Sequence, residues 1–270
     1  MKLLLLRDWM ERLIVPALLL AANLAATACD NRTGGTEASA MADNTPTQAD
    51  TAVRVGADRD DVYVPLLRGR RLALLSNHTG LTSDGEHVLD RMLRRGLNVT
   101  TIFSPEHGFR GDADAGDGES RAAVVGSGAD PRTNIPIASL YDGRSTRPAD
   151  TTMARFDALV VDLQDVGVRY YTYYVTMVQL MEACAAADKA VVVLDRPNPN
   201  IMTVDGPVLD MRLRSGVGRL PIPTVYGMTL GELARMVVGE RWLTNHRDSC
   251  RLTVIPCLNY TRHTRYRLPV

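Results

Sequence analysis

Four apolar runs, each closing on a cluster of polar residues, constrain this chain more than any other feature. Arg71–Ser76, Asn98–Phe103, Asp157–Leu163 and Ala190–Leu194 have the length and β-branched content of strands. The third is almost continuously apolar, as suits a strand buried on both faces. Between and beyond them the period changes. Leu89, Met92 and Leu93 share one helical face, Val175, Val178 and Met181 another. Thr229 and Glu232 form a capping-box pattern ahead of Leu230, Leu233, Ala234 and Val237, and Leu252–Ile255 reads as a late strand. Strand-rich runs alternating with helices predict a three-layer α/β fold, a mostly parallel sheet with helices on both faces. Gly108–Asn134, rich in Gly, Asp and Ala without period, reads as a long surface loop.

The polar clusters are Ser76–Gly80, Ser104–Gly108, Asp162–Gly167 and Asp195–Pro199. In an open parallel sheet the carboxyl ends of the strands lie along one edge, where ligands bind. Residues spread over the chain therefore converge: Asn77, His78, Glu106, His107, Asp162, Gln164, Asp165, Asp195, Arg196 and Asn198. Each also has a purely structural reading. Asn77 or Asp195 can bond turn backbone, Asp162 can pair with a buried arginine, and His78 can be a satisfied loop residue. Glu106, between Pro105 and His107 and followed by Gly108, is poorly placed to cap a helix and well placed to project into a cleft.

Several chemistries lack their motif. There is no G-x-G-x-x-G after the first run, no P-loop, no H-E-x-x-H, and Gly126-Ser127-Gly128 is not a nucleophile elbow. Asp112, Asp114 and Asp117 miss the spacing of a calcium loop. No metal or cofactor is expected. Carboxylates with His, Asn, Arg and Tyr suit sugar chemistry, in which one carboxyl protonates the leaving oxygen while a second group assists attack at the anomeric carbon. Balanced charge, 31 basic against 31 acidic residues, argues against a nucleic-acid partner.

Residues 1–28 read as an export signal: Lys2, Arg7 and Arg12, the apolar stretch Leu13–Leu20, and then Leu24 to Cys29, which resembles a bacterial lipobox. An uncleaved membrane helix is the alternative, but Leu13–Ala28 is shorter than the roughly 20 residues a bilayer crossing needs. The expectation is a periplasmic or cell-envelope lipoprotein, acylated at Cys29, with residues 29–53 as a flexible tether. Of the remaining thiols, Cys184 reads as a buried small hydrophobe. Cys250 and Cys257 are open to either a bridge or simple burial.

A family resemblance covers about Arg54 to Pro256. Leu75–Gly80, Phe103–Gly108, Ser139–Tyr141, Asp162–Gly167 with Arg169–Tyr173, Leu194–Pro199, Asp205–Asp210 and Pro221–Pro223 through Tyr226–Thr229 resemble, in order, the NamZ-type exo-β-N-acetylmuramidases. That resemblance implies a Rossmann-like catalytic domain over 54–256 and release of N-acetylmuramic acid from the non-reducing ends of peptidoglycan fragments. It makes Glu106 the general acid and Asp162 or Asp165 the second carboxylate. His107, Asn77 and His78 would bond hydroxyls or the N-acetyl group, with Gln164, Asp195 and Asn198 beside them. Arg169, then Arg196, would meet the lactyl carboxylate, unless Arg169 pairs with Asp165. Tyr171, with Tyr170 and Tyr173, offers a stacking face or core. Asn200-Ile201-Met202 departs from the glycines usual in the family, and residues 257–270 read as the start of a shortened C-terminal region. A non-catalytic muropeptide-binding lipoprotein is the second reading, and an esterase or amidase using the same cleft the third.

Overall fold

Alternate residues of the central strands enter two different cores, one on each face of the sheet. The computed structural model describes residues 52–105, 109–110, 127–138, 147–244 and 250–268. Among them the strands are β1 (Arg71–Ser76), β2 (Asn98–Phe103), β3 (Ser127–Ala129), β4 (Pro136–Ala138), β5 (Ala158–Asp162), β6 (Ala190–Leu194), β7 (Val204–Asp205), β8 (Val225–Tyr226) and β9 (Arg251–Ile255). Helices α1 (Asp60–Leu67), α2 (Val88–Arg94), α3 (Asp150–Met153), α4 (Tyr173–Ala186) and α5 (Leu230–Gly239) connect them.

The main sheet runs β3-β4-β2-β1-β5-β6-β9, parallel throughout except for β3, while β7 and β8 form a separate antiparallel pair. The chain starts in the middle at β1, steps outward through β2 and β4, then returns to β5 and moves the other way. The reversal falls between β1 and β5, the topological switch point of a doubly wound, Rossmann-like sheet.

Leu72 and Leu74 of β1, Ala158 and Val160 of β5, and Val192 and Leu194 of β6 face one core with Tyr63, Leu67, Leu89 and Met92. Ala73, Leu75, Leu159, Val161, Val191 and Val193 face the other, against Met177, Val178, Met181, Leu233 and Val237. Each fully buried Val or Leu contributes about 1.5–3 kcal/mol, so this period-two division holds the layers together. In β2, Val99 and Ile102 share a face although three residues apart. The register shifts there: Leu72 pairs with Val99 and Ala73 with Thr101, leaving Thr100 as an extra residue whose hydroxyl donates to the carbonyls of Leu72 and Arg155.

The predicted runs for β1, β2 and β6 match the strands residue for residue. The loop expected over Gly108–Asn134 needs correction: Ser127–Ala129 is an edge strand, antiparallel to β4. Three residues with one glycine are too short to show a period. Helix α1 was not anticipated either, because Pro65 inside it and Asp60-Asp61 at its start break the apolar pattern. The two aspartates instead suit the positive end of the helix dipole. Cys250 and Cys257 are half-buried free thiols, so no bridge joins them.

The chain after Pro256 is fastened to the sheet unit. Arg54 and Leu258 exchange backbone hydrogen bonds, the Tyr260 hydroxyl contacts the Asn198 backbone, and Arg262 donates to the carbonyl of Gly227.

Candidate active site

The carboxyl ends of β1, β5 and β6 bring together the residues that flank the switch point. After β1, Asn77 is fully buried and its Oδ1 accepts from the Thr79 amide at 3.0 Å and the Thr79 hydroxyl at 2.5 Å. The same hydroxyl accepts from the Gln164 amide at 3.3 Å, which stitches the β1 turn to the β5 turn. His87 supports this turn from behind. Leu89 N–H donates to its Nδ1, so the ring proton sits on Nε2 and goes to the Asn77 carbonyl, 2.9 Å away. Burial holds this imidazole below its usual pKa, which keeps it neutral in that role.

Asp162, at the end of β5, is bound by Arg196, which follows β6. Arg196 Nε lies 2.6 Å from one carboxylate oxygen and Nη2 2.8 Å from the other, with both side chains essentially inaccessible to water. Nη2 also donates to the Leu81 carbonyl at 2.9 Å. The buried arginine that the sequence allowed as a partner for Asp162 is therefore Arg196.

Asp165 is buried differently. Its Oδ1 accepts from the Gly167 amide at 2.7 Å and from the Tyr226 hydroxyl, and among the described residues no cation pairs with it. Burial pushes its carboxyl up to about 6. Gly167 has φ +74°, and a Cβ there would fall 2.2 Å from Asn198 Nδ2, so the turn that offers its amide to Asp165 can only be built with glycine. Asn198 clamps the other side: Nδ2 donates to the Met228 carbonyl and Oδ1 accepts from the Asn200 amide.

Asp195 is engaged in structure. Its oxygens accept from the Thr229 hydroxyl at 2.7 Å, the Gly231 amide at 2.8 Å and the Arg196 amide at 3.0 Å, which ties the start of α5 to the end of β6. Burial raises this carboxyl to about 6 as well. Gln164 Nε2 donates to the carbonyls of Asp165 and Pro197. Arg169 Nη1 donates to the carbonyls of Pro207 and Ile222 rather than to Asp165. Tyr171 is half-buried and packs on Tyr173 with ring centroids 4.4 Å apart, while Tyr170 is exposed.

Five of the nine buried side-chain atoms left without a hydrogen-bond partner among the described residues belong to this edge. They are Asn77 Nδ2, His78 Nδ1, Gln164 Oε1, Asp165 Oδ2 and Arg196 Nη1. Buried polar groups are rarely left unpaired, so this concentration makes the edge a candidate place for a polar ligand or ordered water. A cleft of about 440 Å³ opens beside His78 and is walled by Glu86, His87, Asp90, Arg110 and Arg132.

Glu106, His107 and Cys29 lie outside the described residues. Pro105 and Phe109, on either side of the Glu106–Gly108 segment, are both buried, and Phe109 meets the His87 ring edge-on at 5.0 Å. Among the described residues no cluster of His, Cys, Asp and Glu could hold a metal ion. Sequence reasoning assigned no role to Tyr226, Thr79 or His87. Their partners are distant in sequence or backbone atoms, and nothing local announces them.

Known proteins resemble this chain closely. A family model described as exo-β-N-acetylmuramidase NamZ, N-terminal, matches residues 72–270. The peptidoglycan β-N-acetylmuramidase NamZ of Bacillus subtilis (strain 168) is 40% identical over 176 residues, which are 64% of this chain and 41% of that protein. Two solved proteins of the DUF1343 family from Bacteroides fragilis NCTC 9343 align with a TM-score of 0.70 each. One is 51% identical and the other 33%, with 81% and 80% of this chain covering 55% and 53% of theirs. The chain thus spans about half the length of these relatives or less. With its doubly wound sheet and its match over 72–270, the chain belongs to the family defined by the N-terminal region of the exo-β-N-acetylmuramidase NamZ.

Proposed function

We propose that this chain acts in an exo-acting glycoside hydrolase that releases N-acetylmuramic acid from the non-reducing ends of peptidoglycan fragments. The observation that carries the reading is the group of unpartnered buried donors and acceptors at the switch point. An amide, an imidazole and a guanidinium beside a carboxyl are the groups a saccharide with an N-acetyl substituent needs.

In this reading Glu106 gives its proton to the glycosidic oxygen as the bond to the anomeric carbon breaks. Asp165 is the second carboxylate, because both oxygens of Asp162 are held by Arg196 while Asp165 Oδ2 has no partner. It either takes the proton of a water that attacks the anomeric carbon or attacks that carbon itself, and the spacing of the two carboxyls decides which. Arg169, oriented by two backbone carbonyls, meets the lactyl carboxylate in preference to Arg196, whose charge Asp162 already balances. Asn77, His78, His107 and Gln164 bond the sugar's polar groups.

Incubating the purified chain with an N-acetylmuramic-acid-terminated disaccharide and looking for free sugar by mass spectrometry tests the reading. Release is expected, with at least a hundredfold loss in Glu106→Gln, on the order of a general acid's contribution. Turnover in Glu106→Gln equal to the parent removes Glu106 from the mechanism. Saturable binding with no release points instead to the muropeptide-binding lipoprotein.

We further propose that residues 1–28 direct export and that Cys29 carries the lipid anchor, on the strength of the lipobox-like run alone. Labelled palmitate is expected in the parent and absent from Cys29→Ser. Label that survives the substitution refutes the anchor.

A further inference from the structure

Asp165 sits in a closed ring of contacts. Its Oδ1 takes the amide of Gly167, the carbonyl of Gly167 takes the amide of Tyr226 at 3.1 Å, and the hydroxyl of Tyr226 returns to Oδ1. Tyr226 is itself fixed. It lies on β8, 2% exposed, next to the bridge between Val168 and Val225, and its ring meets that of Tyr174 edge-on at 6.2 Å. Tyr174 is held in turn, its hydroxyl accepting from the Arg219 amide at 3.1 Å.

We propose that Tyr226 is a positioning residue for Asp165: its hydroxyl pins Oδ1, so that Oδ2 alone takes up or releases the proton in turnover. The assignment of a catalytic role to Asp165 rests on the hydrolase reading above. The pinning stands on geometry: Oδ1 accepts two hydrogen bonds, whereas Oδ2 has no hydrogen-bond partner among the described residues. Tyr226 suits the task because burial, followed by the nearby Asp165 charge, raises its phenol well above the usual value and keeps it a donor at working pH. Its hydrogen bond also draws the Asp165 carboxyl down against the upward push of burial. The titratable groups that face Asp165 are Tyr226 from β8 and Tyr174 from α4. The cation Arg169 acts on Tyr174.

Tyr226→Phe preserves the ring packing and removes only the donor. Carbon-13 NMR of the aspartate carboxyls, with Asp165→Asn identifying the resonance, is expected to show Asp165 titrating about one unit higher in Tyr226→Phe than in the parent. The pH profile of kcat/KM should move upward with it. Tyr174→Phe, which likewise keeps its ring and removes a hydroxyl that bonds the Arg219 amide rather than Asp165, serves as the control and should leave the titration in place. An unchanged titration in Tyr226→Phe, or an equal shift in both variants, overturns the inference. Absence of turnover in the parent overturns the hydrolase reading instead, and the carboxyl titration still decides what Tyr226 does.

Discussion

Arg196 and Asp162 carry opposite charges where neither reaches water, and such a pair is costly to break. Attraction within the pair offsets the desolvation of both groups, whereas either alone leaves an uncompensated buried charge. Arg196→Met should therefore cost about 3–5 kcal/mol in urea unfolding, and adding Asp162→Asn should recover part of the loss. Equal stability of Arg196→Met and the parent would mean that Asp162 does not depend on this arginine. At this scale the sequence grouped these aspartates at strand ends without resolving their partners. Asp162, Asp165 and Asp195 looked alike, each an aspartate at or just beyond a strand end. They differ in which donors reach them from elsewhere: a guanidinium for Asp162, a phenol for Asp165, and a helix start for Asp195.

Among the elements, α5 shows the closest agreement between local chemistry and structure. Thr229 and Glu232 form the anticipated capping box, with Thr229 Oγ1 accepting from the Glu232 amide and the Glu232 carboxylate accepting from the Thr229 amide. Tertiary structure adds a second bond, from the Thr229 hydroxyl to Asp195, that joins the cap to the end of β6. Thr229→Ala should accordingly destabilise the protein by about 1–2 kcal/mol, the upper range for a lost cap, as measured by thermal or urea unfolding. A loss of only a few tenths would show that the link to Asp195 carries nothing. The elements that escaped notice are short or interrupted: α1 carries Pro65, α3 spans four residues, β3 and β4 three each, and β7 and β8 two each, so none has the length over which a period becomes visible.

At the scale of the whole molecule, the switch point between β1 and β5 sets where chemistry can occur, and burial of acids around it has a consequence for stability. Asp195 has a folded-state pKa raised from 3.8 to about 6, so the native state binds its proton more tightly than the unfolded chain does. Its contribution is fully present below the unfolded value and is lost as pH rises through about 6. Asp195→Asn removes that titration. Its stability relative to the parent should therefore improve by about 2 kcal/mol between pH 4 and pH 7, while the opposing effect of His87 and the similar one of Asp165 cancel in the comparison. A difference that stays constant with pH would show that Asp195 is not held in the raised state. Strand positions, helix faces, the cap of α5 and the clustering of polar residues at one sheet edge were legible in the sequence. Each follows from side-chain period and short-range hydrogen bonding, which operate between near neighbours in the chain. The pairing of Asp162 with Arg196, the pinning of Asp165 by Tyr226 and the unpartnered atoms around them were decided by tertiary structure alone. These depend on which distant groups a folded crossover brings within hydrogen-bond reach, and on how much water it removes from between them.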